Sequence, residues 1–101
     1  MTLPATLGFV EPGTEKHDPD VQVDLAQAAE AAEFDWVLVP ETWGREAFNR
    51  AGYIAAHTER VTLGTGIIPV HSRSPALIAQ SIATLDELSA GGAVLGLGLS
   101  S

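Results

Sequence analysis

"LGTGIIPVHSRSPAL", residues 63–77, is the stretch on which the reading of this chain turns. It begins as a buried strand and finishes as a helix start, and it carries Gly64 and Gly66 close to the strand end. Glycine weakens a strand unless the backbone must bend, bulge or approach another group closely. The pattern therefore predicts a strand end whose backbone lies against a ligand. The helix start that follows is clear. Ser74 is placed to cap it, and Pro75 sits at the first helical position, where a missing N–H costs little. Ile78, Ile82 and Leu85 supply its buried stripe, and Gly91 and Gly92 stop it.

Other segments repeat the alternation. "TLGFV" (6–10) is a short apolar strand, and "EPGTEKHDP" (11–19) is a loop by its Pro and Gly content. From Asp20, itself a candidate cap, Val21, Leu25, Ala28, Ala29 and Ala32 fall on one helical face, and Asp24 adds negative charge near that end. "WVLVP" (36–40) is a second strand, followed by a helix over 46–57 with a stripe of Ala47, Ala51, Ile54 and Ala55. "VTLGTGII" (61–68) is the third strand and "AVLGLGL" (93–99) a fourth, apolar on both faces. Strands buried on both faces and separated by amphipathic helices predict βα units and a parallel sheet. A doubly wound fold and a (β/α)8 barrel both fit, and both bind ligands where strands end.

The strand ends hold the unusual chemistry. They deliver Glu11 and Pro12, then Glu41, Thr42 and Trp43, then Gly66 to Arg73, and last Gly98, Leu99, Ser100 and Ser101. Nucleotide motifs fit poorly. "GTGIIP" and "GLGLSS" lack the third glycine of the dinucleotide fingerprint, and no GK[ST] occurs.

Composition bounds the partners. The chain has 101 residues, at most one domain, with 46% hydrophobic residues and no cysteine. That excludes disulfides, thiolate metal sites and a cysteine nucleophile. Thirteen acids against five bases give a net charge of −8, which argues against nucleic acid and anionic membrane surfaces. The acidity reads as a solvated surface or as adaptation to high salt. "EKHDPD" (15–20) lacks an established ligand spacing, so no metal is expected. No basic residue precedes the first apolar stretch and no apolar run approaches a membrane span, so a cytoplasmic protein is the expectation.

"VPETWGREAF", "TERVTLGTGIIPVHSRSPALIAQSIATLDELS" and "AVLGLG" together resemble the bacterial-luciferase-like superfamily, most of all its deazaflavin-dependent, methylenetetrahydromethanopterin reductase-like oxidoreductases. The resemblance implies α/β architecture, namely the amino-terminal half of a (β/α)8 TIM barrel in the order β-α-β-α-β-α-β, with residues 1–101 forming a partial domain truncated after strand four. It implies hydride transfer with coenzyme F420 and a small-molecule substrate, with an FMN-dependent monooxygenase as the near variant. It places a non-proline cis bond at Gly66–Ile67, where the backbone touches a planar ring, and it makes Glu41, Thr42, Trp43, Thr65, Gly66, Ile67, Gly98 and Ser100 the cofactor-binding candidates.

Each candidate has a plainer alternative. Glu41 can be a helix-end charge, Trp43 core packing, and Gly64 and Gly66 close helix–strand contacts. His71 and Arg73 can meet an anionic tail, or Arg73 can pair with Glu46 or Asp86. Many relatives carry histidine directly after the acid; here that position is Thr42, so no catalytic residue is assigned. A barrel of this kind runs to roughly 250 residues. The expectation is therefore a chain that self-associates or joins a second barrel half, or else a non-catalytic fragment.

Overall fold

The structure, a computed structural model, describes the backbone of residues 8–10 and all atoms of 18–41 and 45–99. Expectations on the first residues of strand one, on the loop after it with Glu11 and Pro12, and on Thr42, Trp43, Ser100 and Ser101 lie outside the described residues.

The elements in chain order are β1 (Gly8–Val10), α1 (Pro19–Ala31), β2 (Trp36–Val39), α2 (Ala47–Ala55), β3 (Thr62–Thr65), β4 (Ile68–Pro69), α3 (Pro75–Leu88), β5 (Ala93–Val94) and β6 (Leu97–Gly98). The main sheet is wholly parallel in the order β1-β2-β3-β5, and β4 pairs with β6 beyond it, also parallel. This is the α/β architecture expected of the first part of a barrel.

Two expected strands are each split. The 61–68 strand breaks after Thr65, and the 93–99 strand breaks after Val94. At the first break the pairing partner changes. Gly66 N–H still donates to Val39 O (2.9 Å), but Ile68 N–H donates to Gly96 O (3.0 Å) and the next pairing is β4 with β6. The chain is bent across Gly66–Ile67, whose peptide bond is cis.

The helices begin where local chemistry allows. The Asp18 carboxylate accepts from Asp20 N–H (2.8 Å) and Pro19 opens α1, so the cap lies two residues before the expected Asp20. Asp20 instead accepts from the Tyr53 hydroxyl on α2 (2.7 Å). The buried face of α1 is Gln22, Val23, Ala26 and Ala29, so of the expected stripe only Ala29 is fully buried. Alanines surround this helix on most sides, and docking rather than pattern selects its inward face. Helix α2 is shorter than expected, but Ala47, Ala51, Ile54 and Ala55 are all buried as read. Ser74 caps α3 by accepting from Leu77 N–H (3.1 Å), as expected. Ile78 and Leu85 are buried and Ile82 half-buried. The helix ends at Leu88, short of the glycines; Gly92, with φ +82°, serves the turn into β5.

Val37, Val39, Leu63 and Ile68 from the strands meet Ala51, Ile54, Ile78 and Leu85 from the helices in one core. The opposite face of the sheet, where Trp36, Leu38, Thr62 and Val94 stand, is only partly covered. Val94 and Leu97 are 44% and 46% exposed, so the last strand is not buried on both faces as the sequence suggests. Among the described residues no element covers that face. No helix among them is long and apolar enough to cross a membrane.

Candidate functional site at the carboxyl ends of the strands

The β2 and β3 ends meet at the bulge. Glu41 N–H donates to Ile67 O (3.2 Å), while Gly66 N–H reaches Val39 O, so the two ends are laced together across adjacent strands. Gly66 sits hard against Leu38: a Cβ there would lie 2.8 Å from Leu38 Cβ. Gly98 lies under Ile67, whose Cδ1 would be 1.8 Å from a Cβ at position 98. Ile67 itself stays 37% exposed. Both glycines therefore serve close packing, and their effect is to present the Ile67 side chain and the bulge at the strand ends.

Thr65 is fully buried. Its Oγ1 donates to Gly96 O (3.0 Å) and accepts from Gly96 N–H (3.0 Å), so its hydroxyl bridges β3 to the β5–β6 junction. A hollow of about 290 Å³ on the uncovered face of the sheet is lined by Trp36, Leu38, Thr65, Val94 and Gly96.

Glu41 carries the densest polar chemistry. Its carboxylate accepts from both terminal nitrogens of Arg73 (2.9 and 2.6 Å) and from Ala47 N–H at the start of α2 (2.9 Å). Partial burial works to raise the Glu41 carboxyl, but the Arg73 guanidinium and the Ala47 amide outweigh it and hold it below the usual glutamate value. Arg73 is pushed up, chiefly by the Glu41 hydrogen bonds, against the opposing effect of burial. Arg73 also pairs with Glu46, accompanied by Ser72 Oγ (2.7 Å), and its guanidinium stands 5.3 Å from the Phe48 ring centre. Of the scaffold partners expected for Arg73, Glu46 is one; Asp86 instead accepts from Ala93 N–H (2.8 Å).

The structure thus brings Glu41, Thr65, Gly66, Ile67 and Gly98 to one end of the sheet, while Thr42, Trp43 and Ser100 lie outside the described residues. His71, shortly after β4, is exposed. Sequence reading missed Leu38, the support behind Gly66, although its alternation with Val37 and Val39 placed it on the other face. It also missed the Glu41–Arg73 pair, for which no local signal exists.

A parallel βα sheet whose strands lie in chain order, β1-β2-β3-β5, is the α/β architecture of part of a TIM barrel, a class of fold that binds ligands at the strand ends. The profile of the luciferase-like monooxygenase family matches residues 3–101, and the chain belongs to that family. It is 42% identical over 82 residues to a protein of Mycobacterium tuberculosis (strain ATCC 25618 / H37Rv) named as a candidate coenzyme F420-dependent oxidoreductase, covering 81% of this chain and 24% of that one. It is 35% identical over 83 residues to the 5,10-methylenetetrahydromethanopterin reductase of Methanolobus tindarius, covering 80% of this chain and 26% of the relative. The structure of the coenzyme F420-dependent tetrahydromethanopterin reductase of Methanopyrus kandleri superposes with a TM-score of 0.86 at 26% identity, over 95% of this chain and 27% of the other. The chain spans about a quarter of the length of these relatives.

Proposed function

We propose that this chain supplies the coenzyme-facing part of a barrel oxidoreductase that uses coenzyme F420, a deazaflavin, for hydride transfer to or from a small-molecule substrate. The observation that carries the reading is the bulge itself. Ile67 is held half-exposed at the strand ends by Gly98 beneath it and by the Glu41 contact behind it, and Gly66 is backed by Leu38. Backbone and aliphatic side chain with no charged group between them suit the face of a planar, largely apolar ring. Bound there, a deazaflavin supplies two-electron hydride chemistry. The chain's own residues would have other tasks: Gly66 and Ile67 would bear on the ring, and Leu38 and Gly98 would fix their height. Arg73, the candidate for an anionic tail, already has its charge matched by Glu41 and Glu46. The F420-dependent relatives support this coenzyme over FMN. Titration of the assembled protein, followed by fluorescence, tests the choice: coenzyme F420 should bind, and tight FMN binding with no deazaflavin response would overturn it.

The second reading, that these residues act only with further strands, is favoured by the uncovered sheet face and by β1 and β5, which stand at the sheet's two edges. Four strands form the main described sheet, with the β4–β6 pair beyond it, where a TIM barrel closes with eight. In this reading the hydride-transferring unit is the closed barrel, completed by a second copy of the chain or by a second barrel half.

A further inference from the structure

We propose that Glu41 and Arg73 form a positioning pair that sets the bulge, and that Glu41 is not itself a ligand of the coenzyme. Three contacts carry this. The Glu41 carboxylate is occupied by both terminal nitrogens of Arg73 and by Ala47 N–H, and both side chains are 11% exposed. The Glu41 backbone, on the same residue, donates to Ile67 O at the bulge. Arg73 follows β4, the strand that leaves the bulge, so the ion pair closes a ring: bulge, Glu41 backbone, Glu41 carboxylate, Arg73, and back along β4 to Ile67. Glu46, at the start of α2, takes the same terminal nitrogen of Arg73 that reaches Glu41 Oε2, and the Phe48 ring stands beside the guanidinium. Bidentate pairing of guanidinium and carboxylate fixes orientation as well as distance, and lysine cannot reproduce it. Displacing Arg73 therefore frees Glu41 and with it the position of Ile67.

The pairing rests on the structure alone; its consequence for the coenzyme rests on the deazaflavin reading, and two readouts separate them. The first is amide hydrogen exchange in the coenzyme-free assembled protein. Arg73→Gln should lose protection at Glu41 N–H and Ile68 N–H, with Arg73→Lys intermediate, while the Leu63 amide in β3 stays protected. Unchanged protection at Glu41 would overturn the pair. The second is coenzyme F420 titration. Arg73→Gln and Glu41→Gln should each weaken binding about tenfold, and the double variant should be little worse than either. Loss confined to Glu41→Gln, with Arg73→Gln binding like the wild type, would make Glu41 a direct ligand and overturn the proposal. Absence of any F420 response in the wild type would count against the coenzyme reading, and the exchange result would still decide the pair.

Discussion

Gly98 lies directly beneath Ile67, so that a single methyl group at position 98 would meet Ile67 Cδ1 at 1.8 Å. The clash is with the tip of a flexible side chain. Gly98→Ala should thus cost little stability, under about 1 kcal/mol, but turn Ile67 away from its place on the bulge. Gly96 is a contrast: a methyl there would lie 2.2 Å from Thr65 O, a backbone atom that cannot turn aside. Gly96→Ala should cost about 1–3 kcal/mol. Thermal melts and F420 titration of the two variants check this: Gly98→Ala should lose affinity while keeping its melting temperature, and Gly96→Ala should lose both.

Glu30, near the end of α1, ties the chain just before β3. Its carboxylate accepts from the amides of Glu59 (2.9 Å), Arg60 (2.5 Å) and Val61 (2.8 Å). Partial burial works against the charged form, yet the three amides outweigh it and the carboxyl falls below its ordinary value of 4.5. A carboxylate lowered on folding stabilises fully above its unfolded value, and that stability drains away as pH falls through the folded value. Glu30→Ala should cost about 1–2 kcal/mol at neutral pH, discounted for the solvent at its edge. Stability measured from pH 7 to pH 3 should fall less steeply below about pH 4.5 in the variant than in the wild type.

Ile54 is 1% exposed at the centre of the α2 face. Ile54→Ala should destabilise by about 2–5 kcal/mol. The exposed Tyr53 beside it, whose hydroxyl donates to Asp20, should cost under about 1 kcal/mol on replacement by Phe. Denaturant unfolding of the two variants checks the contrast, with similar losses counting against the core assignment.

The 101-residue chain studied alone should not behave as a stable, active monomer. Val94, Leu97 and Leu99 are exposed, and an uncovered apolar area of several hundred Å² is worth roughly 10 kcal/mol, comparable to the whole stability of a small domain. Sedimentation should show self-association, partner binding or poor folding. A monodisperse monomer that reduces or oxidises coenzyme F420 would contradict this.

What the sequence determined by itself was the order of elements, the parallel sheet, the Ser74–Pro75 start of α3 and the Ala47–Ala51–Ile54–Ala55 stripe. These are properties of neighbours along the chain: capping oxygens, proline geometry and helical spacing act within a turn or two. The Asp18–Pro19 start of α1 belonged to the same class and was legible, but Asp20 competed for it. Tertiary structure decided the rest. The inward face of α1 was set by docking, because a helix ringed with alanines has no strongly favoured side. The splitting of strand three came from a change of pairing partner at Gly66, which depends on where Gly96 lies. The engagement of Glu41 by Arg73 joins residues 32 positions apart, and no local pattern encodes which of several acids a guanidinium will reach once the strands have aligned.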